Sequence, residues 1–193
     1  LVLIAVTPQM LQDALPTLQA MGGAETVFLS VAAGITINTY EDILGADTPI
    51  LRAMPNTPAA IGQGITALIG NACATKQHVD LAHALLSTIG DVVDLQTEAQ
   101  MDAVTGVSGS GPAYVFYMID ALAKAGTAQG LSQDLAMQLA KSTVAGAGAL
   151  AKTATETPEQ LRINVTSPNG TTQAGLEVLM DASTGLTPLI EST

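Results

Sequence analysis

The sequence predicts an α/β domain followed by an all-helical one, and three observations carry that reading. Short, wholly apolar segments alternate with segments of helical periodicity over the first 95 residues. From there to the end only helical patterns occur. A hydrophobic fraction of 48% over 193 residues excludes a disordered chain and suffices for a sizeable core.

The elements follow in order. Residues 1 to 6, LVLIAV, form a continuous apolar strand that Thr7 and Pro8 end. Met10, Leu11, Ala14, Leu15 and Leu18 then recur at helical spacing until Gly22 and Gly23. TVFLSV (26 to 31) is a second apolar strand, and a short helix covers 37 to 44. TPILRAM (48 to 54) is the third strand, followed by the loop PNTPAAIGQG. ITALIG (65 to 70), a helix over about 76 to 89 and DVVDL (91 to 95) complete this half. Strands that are apolar throughout imply a largely parallel sheet covered on both faces. Residues 98 to 106, 113 to 128, 132 to 152, 158 to 164 and 171 to 182 read as helices. The predicted domains are therefore 1–96 and 97–193. The apolar strand is already under way at residue 1, and GLTPLIEST stops inside the opening of a helix, so both ends read as cut.

Six basic residues against 17 acidic ones give a net charge of −11, which disfavours nucleic acid and anionic lipid as partners. No apolar run reaches the roughly 18 residues of a membrane span, so no membrane association is expected. Cys73 is the single cysteine, which excludes a disulfide framework and fits a cytoplasmic protein. His78 and His83 lie five apart on different helix faces and are expected to be surface histidines rather than zinc ligands; no metal is expected.

In the helical half, YVFYMIDALA (114 to 123) is apolar nearly all round, and VAGAGALA (144 to 151) is built of small residues that permit close backbone approach. A helix without a polar face must be surrounded. Ninety-seven residues cannot enclose several such helices, so a second copy of the chain is the expected cover.

Ligands of parallel α/β sheets bind at the carboxyl ends of the strands. Three uncharged loops leave that edge: AVTP (5 to 8), SVAAG (30 to 34) and MPNTP (54 to 58). A glycine fingerprint for a dinucleotide is absent. Two junctions in the second half have related chemistry. In SGSGP, Pro112 suits a first helical position with Gly111 or Ser110 as cap; in TSPNGTT, Asn169 and Gly170 make a turn and Thr171 and Thr172 open a helix. Each reads either as an ordinary capped helix or as an anion site made of free backbone N–H groups. No Ser–His–Asp set or activated Cys is present, so chemistry carried by a cofactor fits better than hydrolysis.

The segments AVTPQ, SVAAGITI, MPNTPAAIGQG, DAVTGVSGSGPAYVFYMIDAL and NVTSPNGTTQAGL, in that order, resemble the pyrroline-5-carboxylate reductase family. The resemblance covers essentially the whole chain, and VSGSGPAY with VTSPNGTT is its most specific part. It implies that residues 1–96 are the carboxy-terminal part of a Rossmann NAD(P)-binding domain and 97–193 a helical dimerisation and substrate-binding domain. It also implies reduction of Δ1-pyrroline-5-carboxylate to L-proline by hydride from NADPH or NADH, the last step of proline biosynthesis, in a homodimer or higher oligomer. Carried over by position, Thr172 is catalytic; Glu98, Gly170, Thr171 and Thr172 bind substrate; Val6, Thr7, Ala33 and Asn164 contact cofactor. Asn56 is expected to brace its loop, and Ser108 and Ser110 to shape theirs. Thr7 stands where the family usually has Lys, Asn169 where it has Gly, and Ile163 where it has Asp. The 193 residues by themselves are expected to bind dinucleotide weakly, since the glycine fingerprint would precede residue 1. Two other readings fit parts of the sequence: a non-catalytic helical dimer that binds a small carboxylate, and another Rossmann reductase acting on a hydroxy acid.

Overall fold

The computed structural model describes residues 1–193 and divides into two compact units, Leu1–Tyr114 and Val115–Thr193. The first holds a five-stranded sheet in the order β1 (Val2–Ile4), β2 (Phe28–Ser30), β3 (Ile50–Met54), β4 (Gly64–Gly70), β5 (Gly90–Asp94). β1, β2 and β3 run parallel, with Ile4 opposite Ser30 and Ser30 opposite Arg52. β4 is antiparallel to β3 and parallel to β5. The reversal has a local cause. Only the short turn-rich stretch 55–63 joins β3 to β4, and a parallel crossover takes a dozen or more residues.

Side-chain alternation along β2 and β3 divides the core in two. Phe28 and Ile50 pack with Leu11 and Leu15 of α1 (Pro8–Thr17) and with Tyr40 and Leu44 of α2 (Ile37–Leu44). Leu29, Leu51 and Ala53 face the other way, onto Ala82 and Leu86 of α3 (Lys76–Leu86). The central strands are thus buried on both faces, as their unbroken apolar sequences require. Leu51 is fully buried, and Leu51→Ala should lower the unfolding free energy by about 2–5 kcal/mol in urea titrations.

The two histidines of α3 have local structural tasks. Thr75 caps the helix by accepting from the His78 amide, and the His78 ring accepts from the Thr75 amide at 3.2 Å. His83 Nε2 lies 2.8 Å from Asp94 Oδ1 at the end of β5.

Beyond β5 come α4 (Gln100–Val104), a π-helical turn (Thr105–Gly109) and α5 (Gly111–Ala128), which carries the chain into the second unit. This corrects the expectation of a helix to residue 106 and then a capped loop. Ser110 donates its amide to the Thr105 carbonyl at 2.8 Å, so the chain stays helical across SGSG by one widened turn.

The second unit continues with α6 (Gln133–Thr153), α7 (Pro158–Asn164), α8 (Thr171–Leu179) and α9 (Leu186–Glu191). Its internal core is small: Ala123, Ala136 and Ala140, flanked by Ile119 and Met137. Phe116 and Tyr117 of α5 are 62% and 73% exposed, and Leu139, Leu150 and Val178 also stand in the open. The apolar face foreseen for this half is therefore left uncovered within one chain. No helix is long and apolar enough to cross a membrane.

Candidate active site

Because β1, β2 and β3 are parallel, the loops that follow them leave the same sheet edge. After β1, Val6 packs partly against the first core cluster, and Thr7 opens α1 by accepting from the amides of Met10 and Leu11 through its carbonyl. The Thr7 hydroxyl makes no capping bond, and the side chain is exposed. After β2, Ala33 stands exposed at the loop tip, followed by Gly34 at φ +74°, a conformation that favours glycine. The base of this loop is polar. The Ser30 hydroxyl lies 2.6 Å from the Tyr40 hydroxyl and accepts from the Ala32 amide at 3.2 Å. Burial pushes the Tyr40 phenol up, opposed by its bond to Ser30.

After β3, Asn56 braces more than its own loop. Its Oδ1 accepts from the Ile65 amide at 3.0 Å, and its Nδ2 donates to the carbonyl and hydroxyl of Ser108 at 3.3 and 3.4 Å. One side chain thereby joins the β3–β4 connection to the π turn, as the sequence had suggested for the near half of that role. Asn56→Ala should cost about 0.5–1.5 kcal/mol, because it removes the bonds that tie Ile65 and Ser108 to this loop. A drop in the thermal midpoint, with near-wild-type far-ultraviolet dichroism, is the expected observation.

Glu98 precedes α4, and its Oε1 accepts from the Ile37 amide at 2.7 Å and from the Arg52 guanidinium. Arg52 is 7% exposed, on the strand between two apolar clusters. Gly34, Thr36, Arg52, Glu98 and Asp102 line a cavity of about 240 Å3 at the amino terminus of α2. Reasoning from sequence missed Arg52, although the signal was present: it is the one charge inside the apolar run TPILRAM.

The other predicted site residues lie in the second unit, around the connection from α7 to α8. Asn164 ends α7 and accepts from Gln160 Nε2 at 2.8 Å. Asn169 adopts φ +60°, the left-handed conformation expected of the turn, and its amide donates to Gln173 Oε1 at 2.8 Å. Gly170 then caps α8 without a side-chain bond. The first-turn amides of Thr171, Thr172 and Gln173 have no capping side chain, and both threonines are exposed. Unsatisfied N–H groups at a helix start, beside two hydroxyls, can hold a carboxylate. SGSG differs, since its Ser110 amide is already bonded to Thr105. The eight site residues thus form two groups: Val6, Thr7, Ala33 and Glu98 in the first unit, and Asn164, Gly170, Thr171 and Thr172 in the second.

Farther along the second unit, Asp181 Oδ1 accepts from the amides and hydroxyls of Ser183 and Thr184 at 2.7–2.9 Å. These bonds hold its carboxyl far below the usual range and fix the turn into α9.

A family model described as pyrroline-5-carboxylate reductase dimerisation matches residues 98–191. The structure of a pyrroline-5-carboxylate reductase from Coxiella burnetii superimposes with a TM-score of 0.91 at 34% identity, over 98% of this chain and 70% of that one. The chain belongs to the pyrroline-5-carboxylate reductase family. The resemblance read from VSGSGPAY and VTSPNGTT is thereby confirmed, as is the α/β-then-helical fold class. The reductase of Synechocystis sp. is 45% identical over 177 residues, 92% of this chain and 65% of the relative. The chain thus spans slightly less than two thirds of that relative's length. The reductase of Plasmodium falciparum, solved with NADP bound, superimposes with a TM-score of 0.82 at 29% identity, over 92% of this chain and 71% of that one.

Proposed function

We propose that this chain is the reducing subunit of a pyrroline-5-carboxylate reductase, converting Δ1-pyrroline-5-carboxylate to L-proline with NADPH or NADH. Family membership supports this reaction, and the observation that carries the reading is the start of α8: uncapped amides beside the free hydroxyls of Thr171 and Thr172. In this reading the amides that follow Gly170 hold the substrate carboxylate, favoured by the positive end of the helix. The Thr172 hydroxyl donates to or accepts from the ring nitrogen, orienting the imine and stabilising the amine that forms.

The carboxyl edge of β1–β3 fits the nicotinamide end of a dinucleotide. Its loops present small or uncharged side chains, with Ala33 and the uncommitted Thr7 hydroxyl exposed. The bound cofactor supplies the hydride. In this reading Val6, Thr7, Ala33 and Asn164 contact the cofactor and Glu98 the substrate. Residues 1–96 are assigned as the carboxy-terminal part of the Rossmann domain and 97–193 as the dimerisation and substrate domain. The open apolar face of α5 and the description of the matching family model support a homodimer, or a higher assembly built from it; the cytoplasm is its proposed compartment. A hydroxy-acid reductase would need a free Lys or His acid–base in the helical part. Lys124 is ion-paired with Asp120 at 2.6 Å, and Lys141 stands mid-helix with no Asn or His beside it in the sequence.

Thermal unfolding of the full-length natural polypeptide separates an enzyme from a carboxylate-binding dimer. L-Proline is expected to raise the midpoint substantially more with NADP+ present than alone, because a reductase must bind hydride donor and acceptor together. Equal protection with and without NADP+ would count against the reductase reading.

A further inference from the structure

Arg52 has a cost that its position must offset. A guanidinium on a central strand is expensive to bury unless a carboxylate meets it, and Glu98 is the carboxylate that does. That pair has a third member, since Glu98 Oε1 also accepts from the Ile37 amide at 2.7 Å, the first residue of α2. Arg52 stands opposite Ser30 in the β2–β3 register, and the Ser30 hydroxyl accepts from the Ala32 amide. The loop between β2 and α2 is therefore fixed at both ends, by Ser30 at Ala32 and by Glu98 at Ile37. Ala33 lies between those two points.

We propose that Arg52 is a positioning residue: acting through Glu98, it fixes the amino terminus of α2 and with it the loop that carries Ala33. Both bonds end on Glu98 Oε1, and Glu98 is also part of the wall of the polar cavity. The clasp thus sets the geometry of two predicted ligand contacts, Ala33 and Glu98. What the loop holds rests on the reductase reading; the clasp does not.

The test has two arms, each run on wild type, Arg52→Gln, Glu98→Gln and the double variant. In the first, hydrogen exchange of the Ile37 amide should accelerate at least about tenfold in each single variant and no further in the double. Arg52→Lys, which keeps the charge, should recover most of the protection. In the second, the KM for NADPH should rise about tenfold in Arg52→Gln, with kcat within about threefold, and adding Arg52→Gln to Glu98→Gln should raise that KM no further than Glu98→Gln does alone, instead of by a second factor of about ten. Unchanged Ile37 exchange in Arg52→Gln, or KM effects that multiply, would overturn the proposal. Should Arg52→Gln not fold, Glu98→Gln carries the same readouts from the half-exposed side of the pair, and unchanged exchange there overturns it equally. A wild type that folds but oxidises no NADPH would defeat the reductase reading alone, with the exchange arm still deciding the clasp.

Discussion

Thr172→Val is expected to lower kcat about a hundredfold while leaving the Kd for NADPH within about twofold. Valine keeps the branched shape at the start of α8 and removes only the hydroxyl, which makes no hydrogen bond within the chain and is exposed. Folding should therefore be nearly indifferent to the change, with stability altered by no more than about 0.5 kcal/mol. The loss falls on turnover because a hydroxyl at the ring nitrogen acts where charge disappears from the imine as the amine forms. Cofactor affinity is set elsewhere, at the carboxyl edge of β1–β3. Steady-state kinetics with pyrroline-5-carboxylate, together with a fluorescence titration of NADPH, separate the two quantities. A wild-type kcat in the variant would remove Thr172 from the mechanism. Thr171→Val makes the useful neighbour: it keeps the amide that the carboxylate is proposed to use, so its effect should be much smaller.

Gly90→Ala should destabilise the first unit by about 3 kcal/mol or more. Two independent obstacles meet at this residue. Its φ of +146° is a conformation that L side chains rarely adopt. A Cβ there would also stand 1.9 Å from the Gly64 carbonyl oxygen, a backbone atom of the neighbouring strand that cannot swing aside. Gly64 and Gly90 are register partners where β4 and β5 begin, and the Gly64 amide donates to Ile89 at 3.0 Å. Relief would require the ladder to open at that end. Gly106→Ala is the control, because a Cβ there meets nothing within 4 Å. Urea unfolding of the two variants should show a large loss in the first and a change below about 1 kcal/mol in the second.

The apolar strands and the first two helices were legible because their signals are local. Ile37, Tyr40 and Leu44 recur at helical spacing behind Thr36, and α2 forms over the expected residues 37–44. The Asn169 turn was equally legible, since few residues other than glycine tolerate its φ of +60°. What the sequence hid depends on contacts far apart in the chain. SGSG reads as a loop by composition, yet it is held helical by one widened turn, tied through Ser108 to Asn56. Glu98 was placed in the site by resemblance alone; its bonds to Ile37 and Arg52 span 61 and 46 residues and leave no periodicity to read. The largely parallel sheet followed from apolar strands, whereas the antiparallel β3–β4 pair followed only from the brevity of the chain between them.

The most direct measurement is NADPH oxidation by the purified full-length polypeptide on addition of pyrroline-5-carboxylate, with chromatographic assay of the product. The expected result is one L-proline formed for each NADPH consumed, with a rate that saturates in both ligands. A folded, dimeric protein that consumes no NADPH and forms no proline would contradict the assignment of a reductase site to α8 and the sheet edge.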